Sequence, residues 1–231
     1  LERARRPAIP LPGRRTAAAV LGRRCIHRFR SGARLAVRRR RPAHLDDQSF
    51  QRSIVPMNLS YQLYSSRFVG DWEAVLAHLA KTGYAEVEGF MGAIDDPAEF
   101  RASLDRHGLS MPSIHLGIED LEADIDGAIS TAKTLGVGHV FAPYLDAGDR
   151  PTDAAGWQAF AARLAAVHGA LSAAGLGFGW HNHDFEFESL PDGSVPMAHI
   201  LDAAPDIAWE ADVAWIVRGG ADPFEWVKRY A

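Results

Sequence analysis

The chain has 231 residues, 47% of them hydrophobic, enough to bury the core of one large α/β domain or two small ones. Its single cysteine, Cys25, excludes an internal disulfide and a cysteine-based zinc cluster, and no apolar run approaches the ~20 residues that a membrane-spanning helix needs. The net charge of −4 divides unevenly: residues 1–56 hold fifteen arginines, no lysine and three acids, whereas residues 57–231 are strongly acidic.

The two parts ask for separate readings. Residues 1–56 carry no sustained helical or strand period and are broken by prolines, so their dense like charge predicts disorder. Three accounts of this leader stay open. The run Arg38–Arg41 would neutralise phosphates in a nucleic-acid or anionic-surface arm. The stretch "RRTAAAVLG" resembles a twin-arginine export signal with too short an apolar run. Arginine without lysine is also what GC-rich sequence upstream of a start codon yields, and the first methionine is Met57. The single cysteine fits a reducing, cytoplasmic setting.

From Met57 a strand–helix rhythm begins. "MNLSYQLYS" predicts the first strand, and "DWEAVLAHLAKTG" a helix with Asp71 as N-cap and Gly83 as its stop. "YAEVEGF" predicts a second strand. "PAEFRASLDRHG" predicts a helix with Pro97 in its first turn and Gly108 at its end. "LSMPSIHLGI" reads as the third strand and "DIDGAISTAKTLG" as a helix closing at Gly136. "GHVFAPYL" is the fourth strand, with Pro143 and Tyr144 at its end, followed by a long helix to Gly175. "LGFGWHNHDFEF" is the fifth strand, "VPMAHILDAAP" a short helix and "IAWEADVAWIV" the sixth strand. "DPFEWVKRYA" begins another helix, capped by Asp222.

Strict alternation implies a parallel sheet with right-handed crossovers. A closed (β/α)8 barrel and an open doubly wound sheet both fit. The barrel is favoured because no Gly-x-Gly-x-x-Gly follows the first strand, and because polar residues gather at the C-terminal ends of several strands. Those ends carry Glu86 and Glu88, His115, then His181, His183, Asp184 and Glu186, then Glu210 and Asp212.

Residues two apart on a strand share a face, so the period points His181 and His183 one way and pairs Glu210 with Asp212. Two imidazoles and one or two carboxylates suit a single divalent metal such as Mn, Co, Mg or Zn. The competing reading makes these histidines hydrogen-bonded core or rim residues and Glu210 a rim ion pair. Trp180, Phe185 and Trp215 fit either a sugar-stacking wall or plain core.

"GWHNHDFEF", followed by "WEADVAWIVRGGADPFEWVKRYA", resembles the sugar phosphate isomerase/epimerase family with the xylose-isomerase-like TIM barrel. "SIHLGIEDLEADIDGAISTAKTLGVGHVFAPYL" is similar to that family's third and fourth strands. The likeness covers 57–231 and none of 1–56. It implies one divalent metal at the barrel mouth, with His181 and Asp212 as ligands, His181 standing where many relatives have glutamate. It implies His183 and Glu210 in catalysis, and Glu88, His115 and Trp215 against the substrate, a small sugar, sugar phosphate or polyol-derived ketone.

The reaction implied is isomerisation or epimerisation through an enediolate. Dehydration of an inosose-type ketone and a metal-free sugar-binding remnant are the alternatives. The resemblance also implies a homo-oligomer as one possible assembly. The acidic barrel part opposes nucleic acid. The sequence stops at Ala231, inside the sixth helix, so the barrel is expected to be incomplete, lacking strands seven and eight with their His and Glu ligands.

Overall fold

The computed structural model describes residues 59–230. The arginine-rich leader and the expected start of the first strand at Met57 lie outside the described residues. Six strands alternate with helices: β1 (Ser60–Gln62), α1 (Trp72–Thr82), β2 (Glu86–Phe90), α2 (Pro97–His107), β3 (Ser110–His115), α3 (Ile118–Ala123) and α4 (Ile125–Leu135) come first. They are followed by β4 (His139–Ala142), α5 (Ala154–Ala173), β5 (Gly177–His181), α6 (Pro196–Ala203), β6 (Ala208–Glu210), α7 (Val213–Arg218) and α8 (Pro223–Tyr230).

The helix boundaries follow from local chemistry. Asp71 accepts from the Ala74 N–H at the start of α1, and Asp96 accepts from Ala98 and Glu99 at the start of α2. Each such cap contributes about 1 kcal/mol by pairing a donor that the helix itself leaves free. Gly83, Gly108 and Gly136 end their helices in the left-handed conformation that a side chain disfavours.

The sheet order is β1-β2-β3-β4-β5-β6, every pair parallel. It is curled. Strands lie about 4.8 Å apart, so β3 and β6 would be about 14 Å apart in a flat sheet. Yet His115 at the end of β3 reaches Glu210 at the end of β6 at 2.7 Å. The concave face therefore brings non-neighbouring strand ends together, as an incomplete (β/α)8 barrel does. The convex face packs on the helices through buried Leu76, Leu104, Leu135, Leu164 and Ile200.

The expected strands run past the observed ones, most of all at the first, fifth and sixth. The first gives way at Leu63 to a 3-10 turn over Leu63–Ser66. The fifth stops at His181, so His183, Asp184 and Glu186 stand in a loop and a 3-10 turn over Phe185–Phe187. The sixth stops at Glu210, so Asp212 caps α7 and Trp215 lies on that helix. The cause is the same in both later cases. Pairing of β5 ends at Ala142↔Trp180 on one side and His181↔Glu210 on the other, and beyond those positions no neighbouring backbone offers partners. The run Val213–Arg218 looked like a strand because it is β-branched. As a helix it buries Ile216 and exposes Val213 and Val217, four residues apart on one face. Helix α3 was not expected either; it occupies the connection after the third strand.

Candidate metal centre

The C-terminal ends of the strands open into a cavity of about 1160 Å³. Glu88, His115, His181, His183, Glu210, Asp212 and Trp215, the seven residues singled out from the sequence, all line it, as do Pro143 and Tyr144. They reach it from different elements: Glu88 from β2, His115 from β3, His181 from β5, Glu210 from β6 and Trp215 from α7.

The floor is built around Glu210. Its Oε2 lies 2.7 Å from His115 Nε2 and 3.1 Å from His181 Nδ1. His115 Nε2 also stands 3.3 Å from Glu88 Oε1. On its far side, His115 Nδ1 faces the Gln62 amide nitrogen at 3.4 Å. Gln62 thus engages the far side of the ring and leaves Nε2 turned toward the two carboxylates. Ser113 Oγ donates to Glu88 Oε2 at 2.6 Å. Strand β1 thus contributes Gln62, and β3 contributes Ser113 and His115, behind or beside the carboxylates.

The two carboxylates differ in charge. Burial, reinforced by the adjacent Glu210 carboxylate, pushes Glu88 up to about 7. Burial would raise Glu210 too, but the hydrogen bond from His115 and the close approach of the His181 ring outweigh it and hold that group well below the usual carboxylate range. Environment separates two neighbouring acids into a proton carrier and a fixed anion.

His115, His181 and Glu210 each offer one potential ligand atom, and these atoms all lie within 4.8 Å of one another. It is the only such trio among the described residues. The donor set, two imidazoles and a carboxylate, suits a divalent transition ion. His181 Nδ1 is buried and makes no aligned hydrogen bond, although it approaches Glu210. A buried ring nitrogen that faces a carboxylate without an aligned hydrogen bond fits a cation bound between these groups. Asp212 is outside the trio. Its Oδ1 accepts from the Trp215 N–H at 3.0 Å, and its backbone oxygen takes a bond from Asn182 Nδ2 at 3.2 Å.

His183 stands beside the trio in an aromatic cage. Its ring centroid is 4.9 Å from that of Trp215, 5.0 Å from Tyr144 and 5.1 Å from His181. Burial, with the neighbouring His181, lowers its pKa to about 4, so the ring is neutral at physiological pH.

Gln62, Ser113 and Asn182 also shape the site and were not assigned a part in it from the sequence. Gln62 and Ser113 sit in register with Glu88 on the flanking strands, so a correct strand alignment would have found them. Asn182 is fully buried; its Oδ1 accepts from Trp209 Nε1 at 2.8 Å and from the Asp212 N–H at 3.0 Å.

No protein-family model matches the sequence, and no curated protein matches it either. Solved structures do. The fold is similar to a sugar phosphate isomerase/epimerase from Parabacteroides distasonis, at 23% identity over 75% of this chain and 71% of that one, with a TM-score of 0.66. It is similar to the probable 3-DHS dehydratase AsbF of petrobactin synthesis from Bacillus anthracis, at 14% identity over 75% and 69% of the chains, TM-score 0.59. A third likeness is to the IolI protein with a bound zinc atom, at 13% identity over 72% and 66%, TM-score 0.55. These likenesses show the xylose isomerase-like barrel fold, which hosts more than one chemistry. Among the described residues no helix is long and apolar enough to cross a membrane.

Proposed function

We propose that the protein binds one divalent cation through His115, His181 and Glu210. With it the protein moves a proton next to the carbonyl of a sugar, sugar phosphate or polyol-derived ketone, as an isomerase or epimerase. The observation that carries this reading is the convergence of those three side chains within 4.8 Å at the floor of the cavity. The zinc named with the IolI structure supports it at the level of the fold. Two imidazoles favour Mn, Co or Zn over Mg.

A cation held there would polarise a carbonyl and its neighbouring hydroxyl, acidifying the adjacent C–H. The protein's own groups do the rest. Glu88, buried beside His115, is placed to take or return a proton at that carbon. His183 offers an uncharged imidazole that can hold a substrate hydroxyl or steady charge developing on its oxygen. Trp215 and Tyr144 form apolar walls on which the C–H face of a sugar ring can lie. Asp212 fixes the start of α7 and so the place of Trp215.

The test has two stages. Calorimetric titration of the purified chain with Co(II) or Mn(II) should give one site, and His115→Ala and His181→Ala should each weaken it by at least about 10-fold. The Mn(II)-loaded protein, mixed with ketoses and cyclic polyol-ketones in D2O, should place deuterium at the carbon next to the carbonyl. Absence of a metal site in the wild-type chain overturns the reading.

A further inference from the structure

Glu186 is a carboxylate with no solvent exposure, outside the trio and outside the cavity lining. Burying such a group is expensive unless its oxygens are hydrogen-bonded. Both are. Oε1 accepts from the Trp180 indole N–H at 3.0 Å, and Oε2 accepts from the His183 backbone N–H at 2.9 Å.

The place of these bonds gives them meaning. Trp180 is the last residue of β5 paired with β4, and His181 the last paired with β6. The His183 N–H is thus the point where the chain has left the sheet and needs another acceptor. Glu186 returns over the 3-10 turn to supply it. The carboxylate clamps the strand end, through Trp180, to the main chain of His183. On the other flank, Asn182 ties the same loop to Asp212 through a second, partly buried set of bonds.

His183 itself has a ring stacked on Phe185 at 6.0 Å, and its Nδ1 is buried without a hydrogen bond. No polar side chain among the described residues fixes that ring. Its direction is set by its backbone and by aromatic contacts, and the backbone is set by Glu186.

We propose that Glu186 is the positioning residue for His183, holding that imidazole at the cavity through the main-chain N–H. The inference rests on the reading of the cavity as a reaction space with His183 facing substrate. It adds a residue that never touches substrate or metal yet governs one that does.

The experiment uses the full 231-residue chain, labelled with 15N and 13C. In the wild type, the His183 amide should exchange with solvent at least about 100-fold slower than an unprotected amide, although it lies beyond the sheet. In Glu186→Gln the amide NH2 cannot accept on both sides, so His183 protection should fall at least about 10-fold and its ring signals should move. Glu186→Met removes both acceptors while relieving the buried charge, and should do the same. In both variants the Val140 amide should stay protected and Co(II) affinity should stay within about threefold, because the trio is untouched.

An unprotected His183 amide in the wild type overturns the proposal, whether or not either variant folds. So does a folded variant with His183 protection and ring signals unmoved. Failure of the wild type to bind Co(II) would sink the metal reading while leaving the amide measurements to decide this one.

Discussion

His115 Nε2 stands 2.7 Å from Glu210 Oε2, although their strands are three places apart in the sheet. That contact exists only because the sheet curls, and it makes Glu210 the common neighbour of both trio imidazoles. Glu210 and Asp212 both lie at the sixth strand's end and are two residues apart, yet they do different work. Glu210→Gln should weaken Co(II) binding by at least about 10-fold, since a neutral amide replaces the only carboxylate in the trio. Asp212→Asn keeps an oxygen to accept the Trp215 N–H and should leave Co(II) affinity within about threefold. Parallel calorimetric titrations check both. Equal losses would mean that Asp212 joins the cation after all.

The β5–β6 seam that carries His181 and Glu210 depends on a missing side chain. A Cβ on Gly179 would come within 2.4 Å of the Ala208 backbone oxygen and 2.6 Å of the Phe141 ring. The ring can shift but the strand backbone cannot without breaking the pairing Gly179↔Ala208. Gly179→Ala should therefore destabilise the fold by about 2–3 kcal/mol and weaken metal binding with it. Urea unfolding of variant and wild type, followed by tryptophan fluorescence, measures the first effect. A variant as stable as the wild type would show that the seam opens freely.

Much of this architecture is legible in the sequence because its signals are local. Asp71 and Asp222 each cap a helix as their place ahead of it implies, and Gly83, Gly108 and Gly136 end theirs. That the chosen polar residues line one cavity was legible for a related reason: ionisable groups at several strand ends are too costly to leave apart in a barrel interior. What the pattern could not carry was where pairing stops. Alternation runs on from Trp180 through Phe187 as if the strand continued, but strand length is set by the neighbours β4 and β6, which are distant in sequence. Gln62 and Ser113 were missed for the same reason, since their part in the site depends on register with Glu88.

Asn182 shows how the loop after β5 is held once the sheet has ended. Its side chain satisfies Trp209 Nε1, the Asp212 N–H and the Asp212 oxygen together. Asn182→Ala would strand these groups in the interior, at about 1 kcal/mol or more apiece, so a loss of about 3 kcal/mol is expected. For a domain of this size that lowers Tm by roughly 10 °C. Calorimetry or thermal circular dichroism reads it directly. A shift below about 2 °C would mean that water replaces the side chain without difficulty.

Glu186 gives the fold a pH dependence of defined sign. Burial, outweighing its hydrogen bonds, pushes this carboxyl from 4.5 up to about 7. The folded chain therefore holds a proton over a pH range in which the unfolded chain has lost it. Where the native state binds more protons, stability falls as pH rises. The contribution is fully present below about pH 4.5 and is lost as pH climbs through 7, for a total of about 3 kcal/mol. Glu88, also pushed up to about 7, adds to the same trend, and His183, lowered to about 4, acts in the opposite sense as pH falls below its usual range. Glu88 is common to wild type and Glu186→Gln, and the His183 contribution is followed in each protein through its ring signals, so comparing the two isolates Glu186. Urea unfolding at pH 5 and pH 8 should show the wild type losing about 3 kcal/mol more than the variant over that interval. The variant is expected to start from lower stability at pH 5, because its amide meets one N–H donor with another. Parallel pH dependences would mean that Glu186 stays ionised inside the fold, its charge compensated by Trp180 and His183 alone.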